Sequence, residues 1–161
     1  MEELLERKKG LHRTILIVDD EIIEREMLGA MLQDSYTVIY AENGAVALDI
    51  IKQDKLTLSL IIPDLHMPEM DGYSLLKIIR FDSELRRIPV IVLTSEREAE
   101  ITVLQLGAAD FITKPCDVPD VVRARVRRSI ELAEDSLGFL GDGRRYGIYG
   151  GRHAAEQPAQ P

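Results

Sequence analysis

Five short runs of apolar, mostly β-branched residues recur along the chain, and a stretch with helical spacing follows each run. The runs cover residues 14–18, 36–41, 58–62, 88–93 and 110–113. Continuous apolar runs are typical of strands that are buried on both faces, whereas repeats at three and four residues are typical of helices. Five alternations of strand and helix therefore predict an α/β fold, with a parallel sheet that helices cover on both faces.

The helical stretches are identified by apolar residues that recur at intervals of three and four. These residues are Ile22, Ile23, Met27, Ala30 and Met31, then Val46, Ala47, Ile50 and Ile51, then Leu75, Leu76, Ile78 and Ile79, then Ile101, Leu104 and Leu106, and finally Val118, Val121, Val122, Val126 and Ile130. Pro119 stands near the first turn of the last stretch, where proline is favoured. The spacings predict five helices.

Length and composition indicate one domain with short flanking segments. A chain of 161 residues can form one hydrophobic core with some residues to spare. We expect the domain over residues 14–135, a short lead-in over 1–13, and a flexible tail over 136–161. Six glycines fall within residues 138–151 of the tail, and the chain closes on Gln-Pro-Ala-Gln-Pro. Such a composition does not offset the entropy of ordering.

The sequence also bears on the cellular compartment. No apolar run approaches the ~18 residues of a membrane span, and the charged first 13 residues lack the apolar core of a secretory signal. The single cysteine, Cys116, has no partner for an internal disulfide, which fits a reducing compartment. We expect a cytoplasmic protein that does not bind membranes.

The net charge of −8 is concentrated in the predicted domain, where 23 Asp and Glu stand against 13 Lys and Arg over residues 14–135. This balance disfavours nucleic-acid binding, which relies on basic residues. It is compatible with a carboxylate site for a cation, although solubility alone also explains it. Four arginines of the last helix, Arg123, Arg125, Arg127 and Arg128, are typical of a solvated face or of salt bridges.

Polar residues that can do chemistry follow four of the five predicted strands. They are Asp19 and Asp20 after the first strand, Asp64 after the third, Thr94 and Ser95 after the fourth, and Lys114 and Pro115 after the fifth. Open α/β sheets bind ligands outside the carboxyl ends of their strands. We therefore expect three carboxylates, two hydroxyls and one ammonium group to converge at one edge of the sheet.

Four motifs carry a resemblance to a known family. They are Asp19-Asp20, the string Asp64-Leu65-His66-Met67-Pro68-Glu69-Met70-Asp71-Gly72, the pair Thr94-Ser95, and the string from Gly107 to Lys114-Pro115. With this spacing, roughly residues 13–135 resemble bacterial response-regulator receiver domains of two-component signalling. The resemblance implies a flavodoxin-like, doubly wound (βα)5 three-layer sandwich with a parallel five-stranded sheet of order 2-1-3-4-5.

The resemblance assigns the phosphoacceptor role to Asp64, which would receive a phosphoryl group from a phosphohistidine on a sensor histidine kinase or phosphotransfer protein. A carboxylate can act as such a nucleophile. Neighbouring carboxylates repel each other by ~4 kcal/mol at 4 Å, so a counter-charge is needed. The family analogy supplies Mg²⁺, bound directly by Asp20, Asp64 and the backbone carbonyl of His66, and through water by Asp19. Oxygen ligands of this kind suit that ion.

The remaining roles also come from the resemblance. Lys114 would offset charge on the transferring group and pair with Asp64, and Thr94 would donate its hydroxyl to a phosphoryl oxygen. Phe111 would move inward with Thr94 and thereby switch the surface of the fourth helix, fifth strand and fifth helix. That surface would control an output partner or form a homodimer in which the arginines of the last helix pair with Asp110 and Glu98. The Lys114–Pro115 bond would be cis.

His66 and Glu96 each lie two residues beyond a site residue, and we expect them to tune how fast phospho-Asp64 hydrolyses. Structural alternatives stand beside these roles. Asp19 or Asp20 also suits an N-cap and Thr94 a capping residue, while Asp71-Gly72 suits a turn into the third helix. Phe111 suits an ordinary buried aromatic, Lys114 a solvated loop lysine, and His66 and Glu96 two exposed polar residues.

Pro63 departs from the family pattern, because a proline in a central strand forfeits a ladder hydrogen bond. We expect a small loss of stability or an early strand end.

One alternative function is a degenerate receiver that serves as a dimerisation or interaction module, and another is the front end of a larger regulator such as a diguanylate cyclase. An aspartate-nucleophile phosphatase or a flavin carrier is disfavoured, because Asp64 follows the third strand and no glycine-rich loop follows the first. We expect no enzymatic activity beyond the chain's own phosphorylation and dephosphorylation.

Overall fold

Strands and helices alternate five times in the computed structural model, which describes residues 13–141, with side chains over 13–136. The elements are β1 (Thr14–Val18), α1 (Ile22–Leu32), β2 (Thr37–Ala41), α2 (Gly44–Asp54), β3 (Leu58–Pro63), α3 (Gly72–Phe81), β4 (Ile91–Thr94), α4 (Ala99–Gln105), β5 (Asp110–Thr113) and α5 (Pro119–Gly141). The predicted five strands and five helices are confirmed, and the bounds of most strands shift by one to three residues at most.

The five strands form one parallel arrangement. β1 lies between β2 and β3, and β4 pairs with β5. Two isolated parallel bridges, Ile61–Val90 and Asp64–Leu93, join β3 to β4. The strand order is therefore 2-1-3-4-5, as the resemblance implies.

Pro63 is the last residue of β3 and pairs with Val18, so the strand does not end before the proline. The backbone N–H of Ile61 donates to Pro89, which precedes β4, whereas that of Asp64 donates to Val18 in β1. By this alternation the nitrogen of Pro63 faces β4, where it has no proton to donate. The β3–β4 ladder is accordingly reduced to two bridges on either side of Pro63, while the backbone of Asp64 remains anchored.

Two hydrophobic cores fill the space between the sheet and its helices. One core lies against α1 and α5 and includes Ile15, Ile17, Leu28, Leu32, Val122, Val126 and Ile130. The other lies against α2, α3 and α4 and includes Leu16, Val18, Ala47, Ile51, Leu75, Leu76, Ile79 and Val103. Alternate residues of β1 thus enter opposite cores, which explains why this strand is apolar throughout.

Some of the apolar residues that identified the helices do not face a core. On α1, the side chains of Ile22, Ile23 and Met27 are exposed, Ile23 by 69%, and Leu28 and Leu32 are buried instead. On α4, Ile101 and Leu104 are exposed as well. Apolar residues cover more than one face of these helices, so spacing identifies the helix without selecting the face that packs.

The last helix runs to Gly141, six residues beyond the predicted domain boundary at residue 135. The remainder of the predicted flexible tail, residues 142–161, and residues 1–12 of the predicted lead-in lie outside the described residues. Arg13 is tied to the domain by an ion pair with Glu134, at 2.6 Å between Nη2 and Oε1. Among residues 13–141, no helix combines the length and the apolar character that a membrane span requires.

Candidate functional site

Three carboxylates meet at the carboxyl ends of β1 and β3. One oxygen from each of Asp19, Asp20 and Asp64 lies within 4.8 Å of the other two. The backbone N–H of Asp19 donates to Ala41 and that of Asp64 to Val18, so the sheet itself positions both residues. Asp19 and Asp64 are buried, whereas Asp20 is exposed. The predicted convergence of the three aspartates is present.

Burial makes this cluster unfavourable for negative charge. It raises the pKa of Asp19 from the ordinary 3.8 to about 7, against the effect of a hydrogen bond from the backbone N–H of Glu21 and with the support of the nearby charge of Asp64. Burial also raises the pKa of Asp64, although the hydrogen bond with Lys114 works in the other direction. The two buried carboxyl groups therefore need a proton or a cation close by.

Lys114 supplies one positive charge. Its Nζ lies 3.0 Å from Asp64 Oδ1 and 3.3 Å from Asp19 Oδ2, and it also contacts Glu24. Burial acts to lower the pKa of Lys114, but the bonds to Glu24 and Asp64 outweigh it and hold the pKa above its ordinary value. The side chain is only 16% exposed, so it is not a solvated loop lysine. The Lys114–Pro115 bond is cis, as the resemblance implies.

Two residues of α1 belong to the site without having been expected there. Glu24 contacts Lys114, which lowers the pKa of the Glu24 carboxyl group. Arg25 Nη1 donates to the backbone carbonyl of Asp19 at 2.7 Å. The only signal in the sequence was their place in the first turn of the helix that follows the acidic pair, and charged residues are common in such turns.

Neither aspartate of the pair is the N-cap of α1, because Glu21 occupies that position and no side chain caps the helix. Asp19 Oδ1 instead accepts a hydrogen bond at 3.0 Å from the backbone N–H of Glu21, in the turn before α1. Thr94 is buried, and its Oγ1 accepts from the backbone N–H of Glu96 at 2.9 Å and donates to the Glu96 carbonyl at 3.2 Å. The Thr94 hydroxyl is thus held by the loop after β4, but Thr94 does not cap α4, whose N-cap is Glu98.

Phe111 is half-buried in β5 and packs against the core beneath α2, α3 and α4. The guanidinium carbon of Arg125 lies 5.9 Å from the centre of its ring, and Arg125 Nη1 lies 2.9 Å from Asp110 Oδ1. The pairing that we expected between arginines of the last helix and a partner's Asp110 is therefore made inside one chain. Arg123 likewise bonds within the chain, to the carbonyl of Met31 at 2.9 Å.

His66 and Glu96 contact each other across the site. His66 Nε2 lies 2.7 Å from Glu96 Oε1, and both side chains are about half exposed. The contact joins the loop after β3, which begins at Asp64, to the loop after β4, which follows Thr94. These residues are therefore not two separate polar groups on the surface, although the sequence suggested each one independently.

The acidic cluster fits a hard divalent cation. All of its ligand atoms are carboxylate oxygens, two of the three groups are buried, and a single lysine offsets them. Magnesium is commonly bound by one or two carboxylates together with water. The exposed Asp20 leaves an open side through which ion and water can enter.

Gly72 explains why the chain turns sharply behind Asp64. Asp71 caps α3 by accepting a hydrogen bond from the N–H of Ser74 at 2.8 Å, which confirms the structural role expected for this pair. A Cβ atom on Gly72 would lie 2.6 Å from the carbonyl oxygen of Asp64 and 2.8 Å from the Cα of Leu65. Both are backbone atoms, so a side chain here would displace the strand end that carries the phosphoacceptor candidate.

We expect Gly72→Ala to lower the free energy of unfolding by about 1–3 kcal/mol, the usual cost of overpacking. Gly29→Ala is the matched control, because its Cβ would meet the end of the Tyr40 side chain, which is 41% exposed and free to swing away. Alanine also gains about 1 kcal/mol of helix propensity over glycine. Urea unfolding of both variants checks this, and equal losses would contradict the role given to Gly72.

Comparisons with known proteins agree with this arrangement. Residues 15–126 match the family model described as the response regulator receiver domain. The chain is 40% identical over 116 residues to two-component response regulator ORR7 of Oryza sativa subsp. japonica, covering 70% of this chain and 55% of that protein. It is 38% identical over 112 residues to response regulator ORR3 of Oryza sativa subsp. indica, covering 68% of this chain and 85% of that protein.

Among solved structures, chemotaxis protein CheY4 of Vibrio cholerae superposes with a TM-score of 0.66 at 31% identity, covering 73% of this chain and 98% of that one. The relatives thus include plant and bacterial proteins, and the chain spans little more than half the length of ORR7. The family match covers most of the chain and coincides with the region that holds every site residue named above. The chain belongs to the response-regulator receiver domains, which are signalling domains of two-component systems.

Proposed function

We propose that this chain accepts a phosphoryl group on Asp64 from a sensor histidine kinase or phosphotransfer protein, and thereby switches a surface that binds an output partner. The observation that carries the proposal is the placement of Asp64 between two further aspartates and Lys114 Nζ, which lies 3.0 Å from its Oδ1. Beyond its own phosphorylation and dephosphorylation we assign the chain no enzymatic reaction. We propose the cytoplasm as its compartment, on the basis of the single, half-buried Cys116.

In the transfer, a carboxylate oxygen of Asp64 attacks the phosphorus and forms the O–P bond of an acyl phosphate. At the same time the P–N bond to the donor histidine breaks. Lys114 attracts the oxygens of the moving group and keeps Asp64 oriented. Asp20, Asp64 and the backbone carbonyl of His66 would hold Mg²⁺ directly, with Asp19 acting through water. The ion, when bound, offsets negative charge on the carboxylates and on the phosphoryl group.

The switch begins at Thr94, whose hydroxyl we propose exchanges its bonds to Glu96 for a bond to a phosphoryl oxygen. Movement of Thr94 leaves space beside β4, into which Phe111 turns. Phe111 lies under Arg125, so its movement disturbs the surface of α4, β5 and α5. The exposed Ile101 and Leu104 on α4 supply apolar area for an output partner or a second copy of the chain.

The phosphoryl donor would dock on α1. Ile22, Ile23 and Met27 are exposed apolar side chains on this helix, and Glu24 of the same helix contacts Lys114. A donor protein seated on these side chains has its histidine within reach of the carboxyl ends of the strands. Exposed apolar surface, where it is contiguous, commonly marks a protein interface.

The experiment that tests the proposal uses the full chain with Mg²⁺ and acetyl phosphate. Intact-protein mass spectrometry should detect the gain of one phosphoryl group, which hydroxylamine should remove because acyl phosphates react with it. Peptide mapping should then assign the modification to Asp64. Absence of the mass gain, or assignment to another residue, would overturn the proposal.

A degenerate receiver remains the second candidate, because Pro63 breaks the ladder directly before the phosphoacceptor. Under that alternative the wild-type chain shows no mass gain. Pro63→Val, which returns an N–H to the strand, would show whether the proline causes the lack of phosphorylation. If this variant is phosphorylated and the wild-type chain is not, the proline is the cause.

Mg²⁺ should stabilise the wild-type protein, because it offsets the charge of carboxylates that burial disfavours. At 100 times the dissociation constant the expected gain in unfolding free energy is about 2.7 kcal/mol. Urea unfolding with Mg²⁺ or with EDTA measures it. Asp20→Asn should remove most of the gain, and Asp49→Asn, at an exposed position on α2, should retain it. Equal gains in both variants would argue against the acidic cluster as the ion site.

Removal of the His66–Glu96 contact should accelerate loss of the phosphoryl group, because we propose that this contact between the loops after β3 and β4 restricts the access of water to Asp64. A barrier lowered by ~1.4 kcal/mol corresponds to about a tenfold faster rate. Release of inorganic phosphate from phosphorylated His66→Ala and Glu96→Ala measures it, with the exposed Glu98→Ala as control. Because the two side chains touch, their effects on the barrier should not add in full. The double variant should therefore release phosphate no faster than the sum of the two single changes in barrier height predicts. Unchanged rates would refute the tuning role.

A further inference from the structure

Five arginines converge in a groove at the edge of the sheet opposite to Asp64. The groove has a volume of about 610 Å³ and is lined by Arg80 of α3, by Arg86 and Arg87 between α3 and β4, and by Arg125 and Arg128 of α5. Asp110, which begins β5, and Pro89, which precedes β4, also line it. The groove thus lies at the amino ends of strands whose carboxyl ends lead to Thr94 and Lys114, about 13 Å away along four residues of strand.

The charge of this groove contrasts with that of the domain around it. Residues 14–135 carry 13 Lys and Arg against 23 Asp and Glu, and five of those basic residues line this one volume. The only carboxylate among the described lining residues is Asp110, which is bound to Arg125 at 2.9 Å. Arg86, Arg87 and Arg128 are exposed, and none of them forms an ion pair with a described residue.

Arg80 forms a fixed wall of the groove. Its guanidinium donates to the carbonyls of Ile88 and Gly107, the latter at 3.4 Å, and its Nε is buried without a hydrogen-bond partner among the described residues. Burial lowers the pKa of this arginine. Gly107 makes room for it, since a Cβ atom there would lie 2.7 Å from Arg80 Cδ. A buried N–H without a partner is rare in folded proteins.

We propose that this groove binds a small polyphosphate, either free or as part of a nucleotide. Guanidinium groups bind phosphate through paired, charge-assisted hydrogen bonds, and here they approach one volume from three separate segments. The volume falls within the range of small-molecule sites. Pro89 and Leu132 give the groove apolar surface against which an organic group can lie. An acidic protein partner would instead need its contacts spread over a flat face of standard interface size.

Titration calorimetry on the full chain tests the proposal, with ATP and inorganic tripolyphosphate as separate probes. EDTA in the buffer keeps divalent cations from the acidic cluster. Arg87→Ala and Arg128→Ala should each weaken binding at least about tenfold, a loss of ~1.4 kcal/mol. Arg127→Ala is the matched control, because Arg127 is exposed on α5 beside Arg128 but does not line the groove. The affinity of this variant for either probe should stay within about twofold of wild type. Arg87 and Arg128 are both exposed, so their substitution should not affect folding, and urea unfolding of the two variants verifies this.

The outcomes separate the ligand sources. Tighter binding of ATP than of tripolyphosphate identifies the ligand as a nucleotide, and equal or weaker binding of ATP identifies it as free polyphosphate. The proposal is overturned if neither probe binds, or if Arg127→Ala weakens binding as much as Arg128→Ala does. It is equally overturned if short poly-glutamate displaces tripolyphosphate at comparable concentration, because the groove would then be a docking surface for acidic peptides.

Discussion

Asp64→Ala is expected to abolish phosphorylation of the chain by acetyl phosphate and Mg²⁺, with no mass gain at any incubation time. The Asp64 carboxylate lies within 4.8 Å of the Asp19 and Asp20 oxygens, and of these three aspartates it has the shortest contact with Lys114, at 3.0 Å. Asp19 is buried farther from solvent, and Asp20 has no contact with Lys114 among the described residues. Neither aspartate is therefore placed to substitute as the nucleophile.

The same variant should remain folded. Burial raises the pKa of Asp64 above its value in the unfolded chain. At a pH where the carboxyl group is ionised, its charge therefore lowers the stability of the folded state relative to the unfolded state. Removal of the carboxylate should therefore maintain or increase the free energy of unfolding in EDTA. Asp49→Ala is a control at an exposed position on α2 and should be phosphorylated normally. Residual phosphorylation of Asp64→Ala would mean that another residue accepts the group.

Lys114→Ala is expected to slow phosphorylation by about 10²–10³-fold, the range for loss of one positioned donor to developing negative charge. Lys114 is the only described cation within ion-pair distance of Asp64, Asp19 and Glu24. Its loss leaves these carboxylates facing each other, so the free energy of unfolding should fall by about 2 kcal/mol. Mass spectrometry over time measures the rate, and urea unfolding measures the stability.

Mg²⁺ should restore part of the stability of Lys114→Ala, because the ion supplies the missing positive charge, but it should not restore the rate. Lys77→Ala, at an exposed position on α3 without a described ion pair, is the control and should match wild type in both measurements. A Lys114→Ala protein that is phosphorylated at the wild-type rate would remove Lys114 from the mechanism and reduce it to a structural counter-charge.

The elements of the fold were predictable, and the packing of some helices was not. Apolar runs identified all five strands: β1, β3 and β4 are almost wholly buried between the two cores, and the edge strands β2 and β5 are apolar although partly exposed. On α1, however, apolar residues occupy both the buried and the exposed face, and only docking against β1 and α5 selected Leu28 and Leu32 for the core. α5 also continues for six residues beyond residue 135, where we expected the domain to end.

For the candidate site, the sequence by itself determined which residues stand at the ends of the strands. The order of motifs along the chain places Asp19, Asp64 and Lys114 directly after β1, β3 and β5, and parallel strands bring such positions to one edge. Pro63 was correctly singled out, because a proline lacks an N–H in every fold, and the structure locates the missing bond on the side of β4.

Only the tertiary structure decided which side chains meet across these loops. Glu24 joins Lys114, His66 joins Glu96, and the arginine groove gathers residues from α3, α5 and the segment before β4. None of these contacts follows from spacing, because Glu24 lies 90 residues from Lys114 and His66 lies 30 residues from Glu96. In the groove, the arginines before β4 meet those of α5 although 38 residues separate Arg87 from Arg125. Their distances depend on how each helix rotates against the sheet, and that rotation is set by side-chain packing in the two cores.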